Sequence, residues 1–320
     1  MNVLVTGGAG YVGSVIIDCL ITRGHRAVAY DNLKSSGHNA VSSEVHLVHG
    51  DLMDQARLLN ALAEYQIEAV IHCAFQRGVG DSIAQPHKYY VANVSAGLML
   101  LDAMLTAGIK RLVFTSTAAT YGEIEKMPIA ENTPQAPINP YGETMLAFER
   151  ALKWYGKAYN LRSAILRCFN VAGASDRANS IHDDETHLIP SVLKVAVGEA
   201  EYVEIFGEDY PTPDGTCIRD YVHVLDVAEA HVLALEALDK GSCTYNVGYG
   251  SGYSVAEVVE MARQITGCRI PTEAAPRRAG EAAVAISTSD KITRELGWQP
   301  LHSELDQIIE SAWRSKREQG

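Results

Sequence analysis

The sequence predicts an α/β fold, in which a doubly wound parallel sheet is followed by a smaller α/β domain. Three observations indicate it. Short apolar runs alternate with helical patterns, a glycine-rich turn joins the first run to the first helix, and acidic, small or hydroxyl residues follow several runs. We place the boundary near residue 170. Residues 1–170 then form the first domain and residues 171–320 the second, with part of 220–240 packing back on the first.

The first element is the apolar run 1–6, and Gly7-Gly8-Ala9-Gly10-Tyr11-Val12-Gly13 follows it at once. In such a turn Gly7 permits the tight bend, Gly10 lets the backbone approach a pyrophosphate, and Gly13 lets helix and strand pack closely. The next run, 27–30, ends at Asp31. A carboxylate there can bind a ribose 2′-hydroxyl and would repel a 2′-phosphate, which favours NAD over NADP.

Three further runs, 45–52, 69–74 and 111–117, also predict strands. The first contains Asp51, where an adenine edge could be read, and the second ends in the small pair Cys73-Ala74. The third ends in hydroxyl residues. Because ligands bind beyond the carboxyl ends of parallel strands, we expect these side chains to border a cofactor site.

A helical pattern opens at Asn139-Pro140-Tyr141, and it places Tyr141 and Met145 on one face because residues four apart share a face. A lysine at 145 would hold a cation near the phenol and lower a pKa that is normally about 10. Thr117, at a strand end, could hydrogen-bond both the phenol and a substrate hydroxyl. Met145 supplies no charge.

Composition limits the partners and the compartment. The net charge of −12 argues against a nucleic-acid or anionic-membrane partner. The six cysteines form no C-x-x-C pair, and no metal-ligand spacing is present, so we expect free thiols in a reducing compartment and no metal. No apolar run approaches the ~20 residues of a membrane span. We therefore expect a cytoplasmic protein.

Several motifs resemble a known family. The glycine turn, the strand end at Thr117, Tyr121-Gly122 and the helix start at Tyr141 resemble the extended short-chain dehydrogenase/reductase superfamily, whose sheet is of the Rossmann type. Later segments look like the UDP-glucose/UDP-galactose 4-epimerase family over nearly the whole chain: 169–174, 187–190, 206–216, 219–224 and 275–280.

The resemblance implies that tightly held NAD oxidises C4 of a UDP-hexose, that the 4-keto sugar turns over, and that reduction gives the C4 epimer. It implies Tyr141 as the base, Thr117 as its hydroxyl partner, position 145 as the lysine site, and a homodimer formed through a helix bundle. The implied cofactor residues are Gly7, Gly10, Tyr11, Val12, Gly13, Asp31, Asn32, Asp51, Leu52, Cys73, Ala74, Arg77, Asn93, Thr115, Tyr141, Met145 and Phe169. The implied substrate residues are Thr117, Tyr141, Asn170, His187, Leu188, Phe206, Arg219, Tyr221, Arg278, Glu281 and Ala285.

Two substrate positions differ in ways that affect specificity. Glu281 stands where the family usually has an aspartate on the uridine ribose. Ala285 aligns with the family's size-gating position, where a small residue admits N-acetyl sugars. The Trp154-Tyr155 pair on the helix after Tyr141 is expected to pack in the core.

Met145 leaves three interpretations open. In the first, Met145 is an engineered substitution that traps a complex. In the second, it is a natural residue in an enzyme that is weak or that uses another cation. In the third, the protein binds NAD and a nucleotide sugar without turnover. Another NAD-dependent nucleotide-sugar modifying enzyme is an alternative. A dehydratase needs an acid pair directly after Thr117, where Ala118-Ala119 stands, and an NADP reductase needs a basic residue near Asn32.

Overall fold

A computed structural model describes residues 1–34, 41–42, 44–176, 187–278 and 281–318. Its centre is a seven-stranded sheet in the order β11-β6-β5-β4-β1-β2-β3, with every neighbouring pair parallel. The predicted doubly wound parallel sheet is confirmed. Its strands are β1 Asn2–Thr6, β2 Arg26–Asp31, β3 His46–His49, β4 Ala69–His72, β5 Arg111–Thr117, β6 Arg162–Cys168 and β11 Cys243–Val247.

Helices cover both faces of this sheet. Alternate strand residues point to opposite faces, so Val3 and Val5 pack under α1 and α8, whereas Leu4 packs under α2, α5 and α6. The order of strands reverses between β1 and β4, which is where doubly wound sheets bind ligands. The helices of this part are α1 Tyr11–Thr22, α2 Gln55–Glu64, α3 Val79–Ala84, α4 Pro86–Tyr89, α5 Ala96–Thr106, α6 Pro140–Tyr159 and α8 Val224–Glu236, with a π-helical turn at Tyr90–Ser95.

The later residues form small sheets around a separate apolar cluster, which is built mainly from α7, α9 and α11. The strands β12, β9 and β14 make one of these sheets, and β7 with β10 and β8 with β13 make two parallel pairs. The boundary near residue 170 stays a prediction. The elements are β7 Asn170–Ala172, β8 Val203–Phe206, β9 Ile218–Arg219, β10 Tyr221–His223, β12 Tyr253–Ser254, β13 Thr272–Ala275, β14 Val284–Ala285, α7 Leu188–Ala196, α9 Val255–Thr266, α10 Asp290–Leu296 and α11 Leu305–Glu318.

The start of α6 is fixed by its local sequence. The Asn139 side chain accepts a hydrogen bond from the Gly142 amide at 2.9 Å, and Pro140 occupies the first helical position. The helix ends at Tyr159, and its C-cap residue Asn160 has a left-handed φ of 57°. This cap sets Tyr141 in the first turn of α6.

One expectation about α6 is wrong. Trp154 is 66% exposed and carries the Lys157 ammonium 4.5 Å from its ring centroid, so it does not pack in the core. Tyr155 is partly buried and donates its hydroxyl to Asp102 at 2.9 Å. Periodicity marks the buried face of a helix only where one face is apolar, and α6 carries aromatic residues on more than one face.

Among the described residues, no helix has the length and apolar character needed to cross a membrane. The same part of the chain holds no group of three or more His, Cys, Asp or Glu side chains placed for a metal ion. All six cysteines are free.

Candidate active site

The glycine turn between β1 and α1 forms a cradle without side chains. Gly7 has a φ of +70°, and a Cβ there would lie 2.8 Å from the backbone nitrogen of Ala74 at the end of β4. A Cβ on Gly13 would collide with the Gly7 carbonyl oxygen. Gly10 occupies the N-cap of the twelve-residue α1 without a side-chain cap. A diphosphate suits this place because helix N-termini present amides to anions.

Two carboxylates follow β2 and β3. Asp31 accepts hydrogen bonds from the Ala9 amide at 3.0 Å and the Leu33 amide at 2.8 Å, so the glycine turn fixes its position. Asp51 accepts from the Asn32 side chain and from the Lys34 ammonium, both at 3.1 Å. Burial alone would raise the pKa of Asp51, but its hydrogen bonds bring it below the usual value. The cradle and Asp31 together fit the diphosphate and ribose of NAD.

Tyr141 lies near the carboxyl end of β5, where the Thr117 side chain interacts with the phenol and acts to lower the pKa of Tyr141. The rings of Phe75 and Tyr89 lie 6.5 Å and 6.4 Å from the Tyr141 ring, centroid to centroid. Burial raises the pKa of Tyr141 to about 12, although the Thr117 hydrogen bond and the Arg77 guanidinium both oppose that rise. The phenol is therefore protonated near neutral pH.

Met145 is only 1% exposed and belongs to the apolar cluster that Tyr141 contacts. One turn further along α6, the buried Glu149 accepts from Arg167 Nη2 at 2.8 Å and from the Ser116 hydroxyl at 2.6 Å. This ion pair anchors α6 to β5 and β6. The helix thus offers the Tyr141 phenol a fixed position and, at 145, no charge.

The segment after β4 carries Arg77 toward the same phenol. Burial lowers the pKa of Arg77, and Tyr141 and Tyr11 oppose that change through their electrostatic interaction with the guanidinium. Asn93 is predicted to bind the cofactor, but its side-chain amide binds the backbone of this segment. Asn93 Oδ1 accepts a hydrogen bond from the Gln76 amide at 2.7 Å, and Asn93 Nδ2 donates one to the Gln76 carbonyl at 3.0 Å. Asn93 therefore holds the segment in place.

A series of buried hydrogen bonds connects three side chains near the carboxyl ends of β4 and β5. His231 Nδ1 lies 2.8 Å from the Val227 carbonyl, which can only accept, so Nδ1 carries the proton. His231 Nε2 then accepts from the Thr115 hydroxyl at 2.8 Å, and the Cys73 thiol, 3.1 Å away, donates to Thr115. Two predicted cofactor residues thus use their polar atoms within the protein.

Five of the predicted substrate residues lie around β9 and β14, namely Phe206, Arg219, Arg278, Glu281 and Ala285. Glu281 places one carboxylate oxygen 3.7 Å from Arg219 Nη2 and the other 3.5 Å from Arg278 Nη1. The Arg278 guanidinium carbon lies 3.8 Å from the ring centroid of Phe206. Strand pairing aligns Ala285 with Arg219. Two forked cations beside an aromatic ring suit a diphosphate joined to a base.

Tyr210 lies beside this group and was given no role by the sequence. Its hydroxyl is buried and has no hydrogen-bond partner among the described residues. Burial raises the pKa of Tyr210, as does the nearby Glu281 carboxylate, while Arg219 lowers it. A buried hydroxyl without a partner is unfavourable, which makes it a candidate to bind a ligand.

The sequence profile of the family described as NAD dependent epimerase/dehydratase matches residues 3–248. The chain belongs to this family. A UDP-glucose 4-epimerase of Corynebacterium glutamicum is 48% identical over 98% of this chain and 95% of its own length. A UDP-glucose 4-epimerase structure from Brucella ovis in complex with NAD has a TM-score of 0.94 and 42% identity, and covers 98% of this chain and 97% of that one. Another, from Bifidobacterium longum in complex with NAD+ and UDP, has a TM-score of 0.96 and 35% identity over 99% of this chain and 98% of that one.

In this member of the epimerase/dehydratase family, the predicted residues fall into two groups, and their roles stay predictions. The first group lies at the carboxyl edge of the sheet or just beyond it. It consists of the glycine turn, Asp31, Asn32, Asp51, Leu52, Cys73, Ala74, Arg77, Thr115, Thr117 and Tyr141. Asn170 and Tyr221 are paired across β7 and β10, Phe169 is buried against Tyr121 and Ile129, and His187 caps α7 before Leu188. Residues 279–280 of the quoted motif 275–280 lie outside the described residues.

The two groups are linked through α1. Tyr11 donates its hydroxyl to the Gly173 carbonyl at 2.6 Å, which ties the glycine turn to the backbone that follows β7. Sequence reasoning also missed the Glu149–Arg167 pair and Tyr210. Nothing in the sequence except its charge distinguishes Glu149 on α6. Tyr210, in contrast, stands inside the segment 206–216 that resembles the family, so the sequence could have indicated it as a ligand-binding residue.

Proposed function

We propose that this chain interconverts UDP-glucose and UDP-galactose, with NAD as its resident cofactor. The observation that carries the proposal is the Tyr141–Thr117 pair, whose side chains interact at the carboxyl edge of a sheet whose neighbouring turn fits a dinucleotide. The relatives named UDP-glucose 4-epimerase, which match the chain along its whole length, support the same substrate class.

Each group of residues has a distinct task in the proposed reaction. The glycine turn and Asp31 hold NAD through its diphosphate and ribose, and bound NAD supplies the site that takes a hydride from C4 and returns it. Tyr141 accepts the proton of the sugar 4-hydroxyl and later gives it back, while Thr117 hydrogen-bonds the phenol and the sugar.

Arg219 and Arg278 bind the diphosphate of the UDP-sugar, and Phe206 contacts the uracil ring. Glu281 lies between the two arginines at 3.5 and 3.7 Å, so a diphosphate competes with its carboxylate for the same cations. Once displaced, Glu281 is free to accept from a ribose hydroxyl. The apolar side chains of Phe75 and Met145 keep water from the phenol.

Met145 makes the proposed enzyme a slow one near neutral pH. A cation at position 145 would favour the phenolate, whereas a thioether leaves burial to hold the pKa of Tyr141 at about 12. The proposed activity therefore rises toward alkaline pH. The same feature supports the second candidate function, a protein that binds NAD and a UDP-sugar without turnover.

One assay separates the two functions. Purified protein is incubated with UDP-galactose, and the nucleotide sugars are resolved by chromatography while NADH absorbance on the protein is followed. The epimerase predicts UDP-glucose in the wild type and none with Tyr141→Phe. Binding of UDP-galactose without product at any pH would favour the non-catalytic function.

We also propose a cytoplasmic homodimer. The free cysteines support a reducing compartment. Trp154 and Tyr159 on α6 are 66% and 51% exposed, an arrangement that suits a helical interface between two copies. Light scattering of the wild type and of Trp154→Glu tests this. A dimer that Trp154→Glu dissociates supports the interface, and a wild-type monomer rejects it.

A further inference from the structure

We propose that Arg77 is the cation that stabilises the Tyr141 phenolate in this chain, in place of the lysine that position 145 lacks. The inference rests on the proposed function and names a residue that acts on its base. It assigns a proton-transfer role to a residue that the sequence predicts only as a cofactor contact.

The first support is the position of the guanidinium. Arg77 follows β4 on the segment that leads to α3, and it interacts electrostatically with the phenols of Tyr141 and Tyr11. Tyr141 stands in the first turn of α6, and Tyr11 stands in the first turn of α1. The Arg77 guanidinium therefore interacts both with the base and with the helix that follows the glycine turn.

The second support is that the Arg77 segment is clamped to the base. Tyr89 donates its hydroxyl to the Arg77 carbonyl at 2.6 Å, and the Tyr89 ring packs edge-on against Tyr141. On the other side, Asn93 binds both backbone groups of Gln76 and donates to the Thr144 hydroxyl at 3.0 Å. Thr144 in turn donates to the Tyr141 carbonyl at 2.8 Å. The backbone at Arg77 is thus held at a fixed place near Tyr141.

The third support is the set of groups that face this phenol. Among the described residues they are Thr117 from β5, Cys168 from β6, Tyr89 from α4 and Arg77. Of these, Arg77 is the cation; the thiol and the second phenol either are neutral or oppose the phenolate. A guanidinium keeps its charge at neutral and mildly alkaline pH even when burial lowers its pKa, so it acts on Tyr141 throughout the pH range of the rate measurements.

The kinetic test uses the full-length protein with NAD and UDP-galactose. Arg77→Met should lower kcat near neutral pH by about tenfold or more, since a charge a few ångströms away shifts a phenol by about one to two pH units. The KM should change much less, and Arg77→Lys should restore most of the rate. The matched control is Arg111→Met, which removes an arginine paired with Asp239 at the opposite end of β5.

A second background separates electrostatics from ligand binding. In Met145→Lys, a cation at 145 lowers the phenol pKa, so at alkaline pH the base is already ionised and Arg77→Met should cost less than about threefold. A residue that mainly binds NAD or substrate would lose the same factor in both backgrounds, and that result would overturn the inference.

A direct titration gives a readout independent of turnover. The ring-carbon NMR signal of isotope-labelled Tyr141 is followed with pH in Met145→Lys and in Met145→Lys with Arg77→Met. We expect the second midpoint to lie about one pH unit or more above the first. Identical midpoints reject the role of Arg77 even if the protein proves to have no epimerase activity. The expected midpoints in a protein that lacks epimerase activity would support the role of Arg77 and reject the proposed function. The expected midpoints in an active epimerase would support both.

Discussion

Met145 lies one helical turn beyond Tyr141 on α6, with 1% of its surface exposed and its thioether in the apolar cluster that Tyr141 contacts. Residues four apart share a helical face, so position 145 lies on the face of α6 that carries Tyr141, and the chain fills it without charge. The rate of proton transfer should therefore respond to this one residue more than the fold does.

Met145→Lys should raise kcat near neutral pH by about tenfold or more, because an ammonium near the phenol favours its ionised form. The same change should lower the free energy of unfolding by about 1–3 kcal/mol, since it places a polar group in an apolar cluster. Rates of UDP-galactose conversion and urea unfolding measure the two effects. Met145→Leu, which adds no charge, should give no gain in rate, and equal rates for wild type and Met145→Lys would contradict the account.

The wild-type rate should rise with pH. Burial raises the pKa of Tyr141 to about 12, so only a small fraction of Tyr141 is phenolate at neutral pH. While the pH stays below the pKa, that fraction increases by about tenfold for each unit by which the pH is raised. A pH profile of kcat from neutral to about pH 9 tests this in the range where the fold is stable. A flat profile would mean that Tyr141 ionisation does not limit the reaction.

Ala285 should let the site accept larger sugars. Its side chain is small, and it is paired in register with Arg219 across β9 and β14. We expect UDP-N-acetylglucosamine to bind within about tenfold of UDP-glucose, and Ala285→Tyr to weaken only the N-acetyl ligand, by about tenfold or more. Competition binding with both nucleotide sugars measures this. Exclusion of the N-acetyl sugar by the wild type would place the size limit elsewhere.

Tyr210→Phe should separate ligand binding from stability. The Tyr210 hydroxyl is buried without a partner among the described residues, so its removal breaks no described hydrogen bond and should leave the unliganded protein equally or more stable. If the hydroxyl binds the nucleotide, UDP affinity should fall by about fivefold or more. Calorimetric titration and thermal unfolding report the two quantities. Tyr202→Phe, at a 39% exposed surface position, is the control, and unchanged UDP affinity in Tyr210→Phe would refute a binding role.

Acid should destabilise the fold through its buried histidines. Burial lowers the pKa of His72 to about 3 and that of His231 to about 4. The unfolded chain binds these protons below about pH 6.5 and the folded chain does not, so stability falls as pH drops from there toward pH 4, by up to about 1.4 kcal/mol per pH unit for each histidine. Urea unfolding at several pH values should show a shallower loss for His231→Gln. His87→Gln, at an exposed position, should keep the wild-type slope.

The local parts of the fold could be predicted because each rests on neighbouring residues. The glycine turn, the acid at the end of β2 and the capped start of α6 are short patterns with one physical reason each. The strand β11 could not be placed, because it joins the sheet beside β6 from about eighty residues away and only tertiary pairing determines that edge.

The candidate site was predictable as a set of residues but not as a set of contacts. Tyr141 and Thr117 could be brought together from a strand end and a helix start. The backbone at Gln76 and Arg77 is held by hydrogen bonds from Asn93 and Tyr89, which lie on other elements and have no sequence pattern linking them to this segment. Trp154 was misplaced for a related reason, since its exposure depends on which neighbours α6 has.

The buried pair of Glu149 and Arg167 has a consequence for how this family member tolerates change. Neither side chain is placed to meet a ligand, yet removing one partner leaves the other charged and buried, at about 3–5 kcal/mol. A saturation mutagenesis screen scored by growth would therefore mark Glu149 as indispensable alongside Tyr141. Measuring soluble yield together with turnover would distinguish the two residues. Activity lost on substitution of Glu149 would follow the amount of soluble protein, and activity lost on substitution of Tyr141 would not.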